Sequence, residues 1–320
     1  MTVTGPASPA TPLRVVVVHW NQVEACIDTV DRFLDREVPV RVTVVDNGSH
    51  HEAVVRLRTA LSERGDLVEL VEVGSNAGFG PGANVGLQRF LDRADDGEWV
   101  GLAPHDVDPF PGCLAAALAA ADAEPMAGLM CADVGDAMVP VIDPYFGGMV
   151  VPAEGRAFDP DVDPPRWEEV AYPHGTLMFL RRDCLAEIGL FDERFFSYCE
   201  EADLALRARR AGWSIGLIRG ARVRNIHIGS GVAVVDYLQT RNTLLLVQEM
   251  SGWYHAFIRA CFTLTQVVRG RRNPATRPPI FDARARLLGI RDFALRRFGP
   301  PPATITAPPS QFDPTIHGQR

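Results

Sequence analysis

The hydrophobic pattern begins with a β-branched run, "LRVVVV" at residues 13 to 18, that stops at the polar "HWNQ". Apolar positions then recur at helical spacing in "VEACIDTVDRFLDR", and a second β-branched run, "VRVTVV", stops at "DNGS". Short apolar run, 3.6-residue periodicity and short apolar run predict a parallel βαβ unit with a right-handed crossover. The alternation continues with a helix in "HEAVVRLRTALSER", a strand in "LVELVEV", the turn-rich "GSNAGFGPGANVG", a helix near 84 to 93 and a strand in "EWVGLAP". In an open parallel sheet, ligands bind beyond the carboxyl ends of the strands. The segments "HWN", "DNGS", "SNAGFGPGAN" and "PHDVD" all fall at such ends, which predicts a nucleotide site there.

Further along, "PGCLAAALAAADAEP" (111 to 125) reads as a helix with proline in its first turn. Residues 130 to 172 lose periodicity and gain Pro, Gly and Asp, which predicts hairpins and a long loop suited to a lid. "TLMFLRRDCLAEIG" gives a strand and a short helix. Residues 236 to 268 read as helix, "PATRPP" (274 to 279) as linker and 280 to 298 as a last amphipathic helix.

Composition narrows the chemistry. At 320 residues and 47% hydrophobic content the chain can bury a full core. All 32 basic residues are arginine, so mechanisms built on a Schiff-base or Walker-type lysine are excluded. A net charge of -8 argues against a nucleic-acid partner, which would require excess positive charge. Residues 269 to 297 run the other way, with nine arginines against two aspartates. Such a basic arm is commonly a solvated helix surface, and it also suits a charged partner or peripheral contact with anionic lipid. The 6 cysteines are scattered without metal-ligand spacing and read as reduced apolar residues. Residues 1 to 12 carry no secretory pattern and read as disordered, and no apolar run reaches the roughly 18 residues of a membrane span, so a cytoplasmic location is expected.

The ordered set "VVVVHWN", "VVDNGS", "SNAGFGPGANVGL", "FDERFFSYCEEADLALRARRAGW" and "IHIGSG" resembles family 2 glycosyltransferases of the GT-A fold, and within them the rhamnosyltransferase type. The resemblance covers about residues 13 to 245. It implies an α/β, Rossmann-like, mostly parallel sheet flanked by helices: a catalytic domain at 13 to 235, with a nucleotide-sugar half to 110 and an acceptor half from 111, then a helical C-terminal arm at 236 to 320. The implied function is inverting transfer of a hexose or deoxyhexose from a UDP- or dTDP-sugar to a hydroxyl acceptor, a secondary metabolite or cell-envelope glycan. A homodimer through the arm is left open.

Site residues follow from the matched motifs. Asp46 is implied to accept a hydrogen bond from the imide nitrogen of uracil or thymine; read from the residues alone, Asp46 and Asn47 equally suit an Asx turn with Gly48 at positive φ. Asn76, Gly78 and Asn84 are implied to border the nucleotide-sugar, and Arg241 in "TRNTL" to contact the diphosphate. A Rossmann dinucleotide fingerprint should follow the first strand, whereas this glycine-rich loop follows the third. The family's D-x-D places Asp106 on a divalent cation, Mg or Mn, with Pro104 standing where the first acidic or amide residue belongs, so metal dependence is expected to be weak. Asp108 offers a shifted D-x-D or a helix cap, and His227 a metal ligand or a structural histidine. In "CEEADL", Glu201 matches the catalytic base, and the neighbouring carboxylates suit the helix dipole and an Asp203–Arg207 pair. Phe195, Phe196 and Tyr198 suit either an acceptor wall or packing on the sheet, and Arg207, Arg209 and Arg210 read as outward charges.

Two rivals remain. Pro104 suits an inactive nucleotide-sugar-binding or scaffold protein. A sugar-1-phosphate nucleotidyltransferase shares such a sheet, but its glycine-rich N-terminal signature and lysines are missing.

Overall fold

The computed structural model describes residues 11–143, 153–154, 158, 163–226 and 231–305. The described residues up to 226 form one compact unit and those from 231 a second. The first unit holds the sheet. Strands β1 (Leu13–His19), β2 (Val40–Asp46), β3 (Val68–Glu72) and β4 (Trp99–Pro104) alternate with helices α1 (Val23–Leu34), α2 (His51–Ser62) and α3 (Phe79–Asp92). These strands lie parallel in the order β3-β2-β1-β4. Their near-continuous apolar runs follow from helices covering both faces, and every residue of β1 is buried. Val15, Val17, Val42, Val44, Phe33 and Leu57 pack together in one core.

Beyond β4 come β5 (Val107–Pro109), helix α4 (Cys113–Ala123), β6 (Ala127–Asp133), a two-stranded ribbon of β7 (Met138–Val139) and β8 (Ala153–Glu154), β9 (Arg166–Glu169) and β10 (Met178–Arg181). Helices α5 (Arg182–Ile188) and α6 (Glu200–Arg210) and the long β11 (Ser214–Asn225) complete the unit. The sheet continues β4-β10-β6-β11-β5, with β9 also on β11. β10 runs antiparallel between β4 and β6, so its first residue, Met178, pairs with Leu102 near the carboxyl end of β4. The sheet is therefore mixed, but parallel throughout from β3 to β4.

Two strands escape the sequence pattern. β6, "AGLMCAD", is fully buried yet lacks β-branched residues, so its packing rather than its propensity makes it a strand. β11 is interrupted by glycines and by Arg219, whose fully buried guanidinium is paired with Asp133 and Glu168 and bonded to the Asp136 carbonyl. The expected lid within 130 to 172 lies partly outside the described residues. Residues 1 to 10, most of the segment read as disordered, also lie outside them.

The second unit pairs α7 (Val232–Arg272) with α8 (Ala283–Ala294). The expected single helix is broken at Gly252 (φ 83, ψ 177). Asp282 caps α8 through Ala285 N at 2.8 Å. Arg286 of α8 reaches Asp236 of α7 at 2.8 Å, and the Tyr237 hydroxyl donates to Asp292 at 2.9 Å. Among the described residues, no helix is long and apolar enough to cross a membrane.

Candidate active site

The parallel register sets His19 beside Asp46 at the carboxyl ends of β1 and β2. Their side chains meet at 2.9 Å, and both are buried. The His19 Nε2 accepts from the Gln22 backbone N–H at 3.1 Å, which puts the ring proton on Nδ1, facing the carboxylate. The other Asp46 oxygen accepts from Ser49 N at 3.1 Å, so the Asx turn is present. Burial alone would raise the Asp46 pKa; the hydrogen bonds from His19 and Ser49 outweigh it and hold the carboxyl below its ordinary range. The His105 ring stands edge-on to His19, at 5.6 Å between centroids, and brings Asp106 to the same edge.

Asn47 ties the second loop to the third. Its amide donates to Gly78 O at 2.8 Å and Asn76 Oδ1 at 3.3 Å, and accepts from Ala77 N at 3.2 Å. Gly78, at φ 105, lies so close to the "FFSY" loop that a Cβ there would stand 2.0 Å from the Phe196 carbonyl oxygen. Phe79 N donates to that same carbonyl at 2.7 Å, so the protein itself fills one of the N–H positions at the start of α3. Asn84 grips the loop ahead of α6 from both sides, donating to Phe191 O at 2.9 Å and accepting from Phe191 N at 3.0 Å. Asp46, Asn47, Asn76, Gly78 and Asn84 thus belong to one loop cluster that also positions the acidic helix α6.

At the start of α6, Glu200 and Glu201 are 5% and 8% exposed, and each keeps one carboxylate oxygen, Oε2, buried without a hydrogen-bond partner. Burial raises both pKa values, and the two carboxyls in contact raise that of Glu200 further. The turn that delivers them is strained: Tyr198 (φ 69) and Cys199 (φ 73) both take left-handed backbone. No side chain caps α6, so its acidic first turn acts through the helix dipole. Asp203 pairs with Arg207 at 2.9 Å as the spacing predicts. Arg207 is no outward charge, because it also holds the carbonyls of Ile188 and Leu190 at the end of α5. Arg209 likewise reaches Val170 O and Glu169. Phe195 is buried in the core, the packing alternative for that aromatic.

The metal candidates divide. Asp106 is half-buried, and its carbonyl accepts from Ile226 N at 2.8 Å. Asp108 is a strand residue, not a helix cap, since Gly112 precedes α4. It is buried among Arg32 (2.7 Å), Arg224 (2.7 Å) and Arg36 (3.6 Å); burial would raise its pKa, and the Arg32 and Arg224 guanidiniums outweigh that and hold it down. His227 lies outside the described residues. Among the described residues no cluster of three metal-ligating side chains occurs. Asp106 alone still fits a magnesium-like ion, which keeps several waters and takes one or two carboxylates plus substrate phosphates. Arg241 sits in the second unit, fully buried, donating to Asn242 Oδ1 and Gly299 O at 3.0 and 2.7 Å, with Nη2 unpartnered.

Sequence reading did not single out a small cavity of about 210 Å³ lined by Asp133, Asp136, Tyr172, His174 and Thr176. Both ring nitrogens of His174 are sealed from solvent without a partner in hydrogen-bond geometry, and burial lowers its pKa to about 4. Tyr172 lies near enough to Glu201 to feel its charge, although burial is the larger cause of the raised phenol pKa. Only the irregular "YPHG" segment carried a hint, and lone histidines give little signal.

A mostly parallel sheet with nucleotide-type loops at its carboxyl edge and an acidic helix start facing them defines a GT-A fold. Among solved structures, the chain is similar to GalNAc-T7 with UDP, GalNAc and Mn2+ (TM-score 0.60, 15% identity, 89% of this chain); it spans 56% of that chain. It is also similar to a mannosyltransferase from Pyrobaculum calidifontis in complex with GDP-Man and Mn2+ (TM-score 0.53, 14% identity, 89% of this chain and 86% of that one). No family model matches. In sequence, the chain is 28% identical over 254 residues to N-acetylglucosaminyl-diphospho-decaprenol L-rhamnosyltransferase from two strains of Mycobacterium tuberculosis, covering 71% of this chain and 80% of the relative. The chain therefore has the GT-A fold and is similar in sequence to a rhamnosyltransferase.

Proposed function

We propose that the chain catalyses inverting transfer of a deoxyhexose or hexose from a dTDP- or UDP-sugar to a hydroxyl of a lipid-linked glycan. The observation that carries this reading is the buried pair Glu200 and Glu201 at the start of α6, each with a free carboxylate oxygen, next to the loops that hold Asp46. Glu201 takes the proton of the acceptor hydroxyl as its oxygen bonds to the anomeric carbon; the bond from that carbon to the diphosphate breaks with both electrons, and the nucleoside diphosphate leaves. A base whose pKa is raised toward neutrality suits this task. Asp46, oriented by His19, accepts the imide N–H of the base. Asp106 would hold a Mg or Mn ion with the donor's diphosphate, the ion supplying charge neutralisation there. The three arginines on Asp108 argue against its sharing that role. The relative's name supports the lipid-linked acceptor and rhamnose as the donor sugar.

The test is transfer from dTDP-rhamnose and from UDP-hexoses to polyprenol-diphosphate-linked N-acetylglucosamine, with wild type and Glu201→Gln. Product formation by wild type, with inverted anomeric configuration and lost in Glu201→Gln, supports the reading. Tight nucleotide-sugar binding with no turnover on any acceptor would favour the scaffold reading, which Pro104 in the metal motif suggests.

A further inference from the structure

Beyond the break at Gly252, α7 leaves a row of large apolar side chains in solvent. Trp253, Tyr254 and Phe257 are 57%, 71% and 68% exposed, and Phe262, Leu264 and Val268 between 41% and 48%. Tyr254, Phe257, Cys261, Leu264 and Val268 succeed one another at steps of three and four and so form one stripe. Ala256, Thr263, Val267 and Gly270 occupy the opposite, buried side. This half-helix is therefore apolar on the side that packs and apolar again on the side that does not. A contiguous exposed patch of this kind marks an interaction surface.

Charge selects the partner. Residues 253 to 272 contain Arg259, Arg269, Arg271 and Arg272 and no acidic residue, and the last three arginines are exposed. A second copy of the helix is poorly suited. Parallel pairing would bring the arginines together, and a two-helix seam favours aliphatic residues flanked by opposite charges, where this stripe has Tyr254 and Phe257. An anionic lipid surface supplies the missing charge. Its interface also favours aromatic residues, apolar insertion and arginine heads together on a helix lying in the plane. The helix does not meet the requirements for crossing the bilayer.

We propose that the exposed face of residues 253 to 272 binds the surface of an anionic membrane, with the aromatic stripe inserted and the arginines at the headgroups. This stands apart from the transferase reading, although a lipid-linked acceptor would suit it.

The test uses the full chain and co-sedimentation with vesicles of phosphatidylcholine alone and of phosphatidylcholine with phosphatidylglycerol, across a salt series. Wild type should bind the phosphatidylglycerol vesicles and release with salt. Phe257→Ser with Leu264→Ser should lower the partition coefficient roughly tenfold or more on them. Arg271→Gln with Arg272→Gln should flatten the salt dependence. Both variants should keep nucleotide binding and the wild-type melting temperature, since the altered side chains are exposed. Wild type that stays in the supernatant, or binding unchanged by the Phe257 and Leu264 substitutions, overturns the proposal whatever the enzyme assay gives. A dimer in light scattering that Phe257→Ser makes monomeric, with no vesicle binding, would assign the face to self-association instead.

Discussion

The His19 ring holds the Asp46 carboxylate at 2.9 Å across adjacent parallel strands, and both side chains are buried. If Asp46 receives the nucleotide base, His19 holds Oδ1 and directs the base to the second lone pair of Oδ2, beside Ser49 N. His19→Ala should weaken UDP or dTDP binding about tenfold, near 1.4 kcal/mol, the scale of one hydrogen bond to a charged group. Asp46→Ala should abolish it. Calorimetric titration of both variants checks the order; equal losses would mean that His19 contacts the nucleotide directly.

Glu201→Gln is isosteric and keeps the packing while removing the base. Turnover should fall by about 10² to 10⁴, the usual contribution of general base catalysis, with nucleotide affinity unchanged. Glu200→Gln should leave measurable turnover and move the acid limb of the pH–rate profile to higher pH, because the hydrogen bond from the Glu200 carboxyl lowers the Glu201 pKa and an amide is a weaker donor. Steady-state kinetics on both variants separates the two roles.

The same pair makes stability depend on pH. Glutamate's ordinary value is 4.5 and the folded pKa of Glu200 lies well above it, so the folded state holds a proton that the unfolded chain has lost. This contribution is fully present below 4.5 and is lost as pH rises through the folded value. Melting temperatures of wild type should drop relative to those of Glu200→Gln as pH is raised above 4.5.

His174 works in the opposite sense. Its pKa falls from 6.5 to about 4, so its contribution is present above 6.5 and lost as pH drops toward 4. Wild type should lose up to about 3 kcal/mol over that interval by linkage, and His174→Asn should not. Urea midpoints at several pH values measure the difference.

Gly78→Ala would place a Cβ against the Phe196 carbonyl at left-handed φ, and should cost about 1–3 kcal/mol or more. Gly112→Ala, also at positive φ but with open space around it, should cost less. Chemical denaturation of the two variants compares strain alone with strain plus collision.

The nucleotide side of the fold was legible because its strands are β-branched runs and its loops carry polar and glycine punctuation at each strand end. β6 and β11 were not, since one is built from Ala, Leu, Met and Cys and the other is cut by glycine and by Arg219, a charge tolerated only because Asp133 and Glu168, far away in sequence, sit on the flanking strands β6 and β9. Within the site, the motifs drew attention to Asp46 and Glu201, and periodicity could not reveal that His19 stands beside Asp46 or that Tyr172 lies within range of the Glu201 charge. The glycine-rich loop reads as a phosphate cradle, yet Asn47 and Asn84 use their amides to join loops, a function that residue type alone does not distinguish.

The reversed direction of β10 bears on how such a site can change. After each of β1, β2 and β3 has reached the carboxyl edge, a helix carries the chain back across the sheet, which fixes the length of the return. β10 begins at that edge instead, so the segment leading into it can grow or be exchanged without a crossover to rebuild, at an entropic cost that rises only slowly with length. Tyr172 and His174 lie on that segment. It is the natural place for this scaffold to vary while the loops that follow β1, β2 and β3 stay fixed.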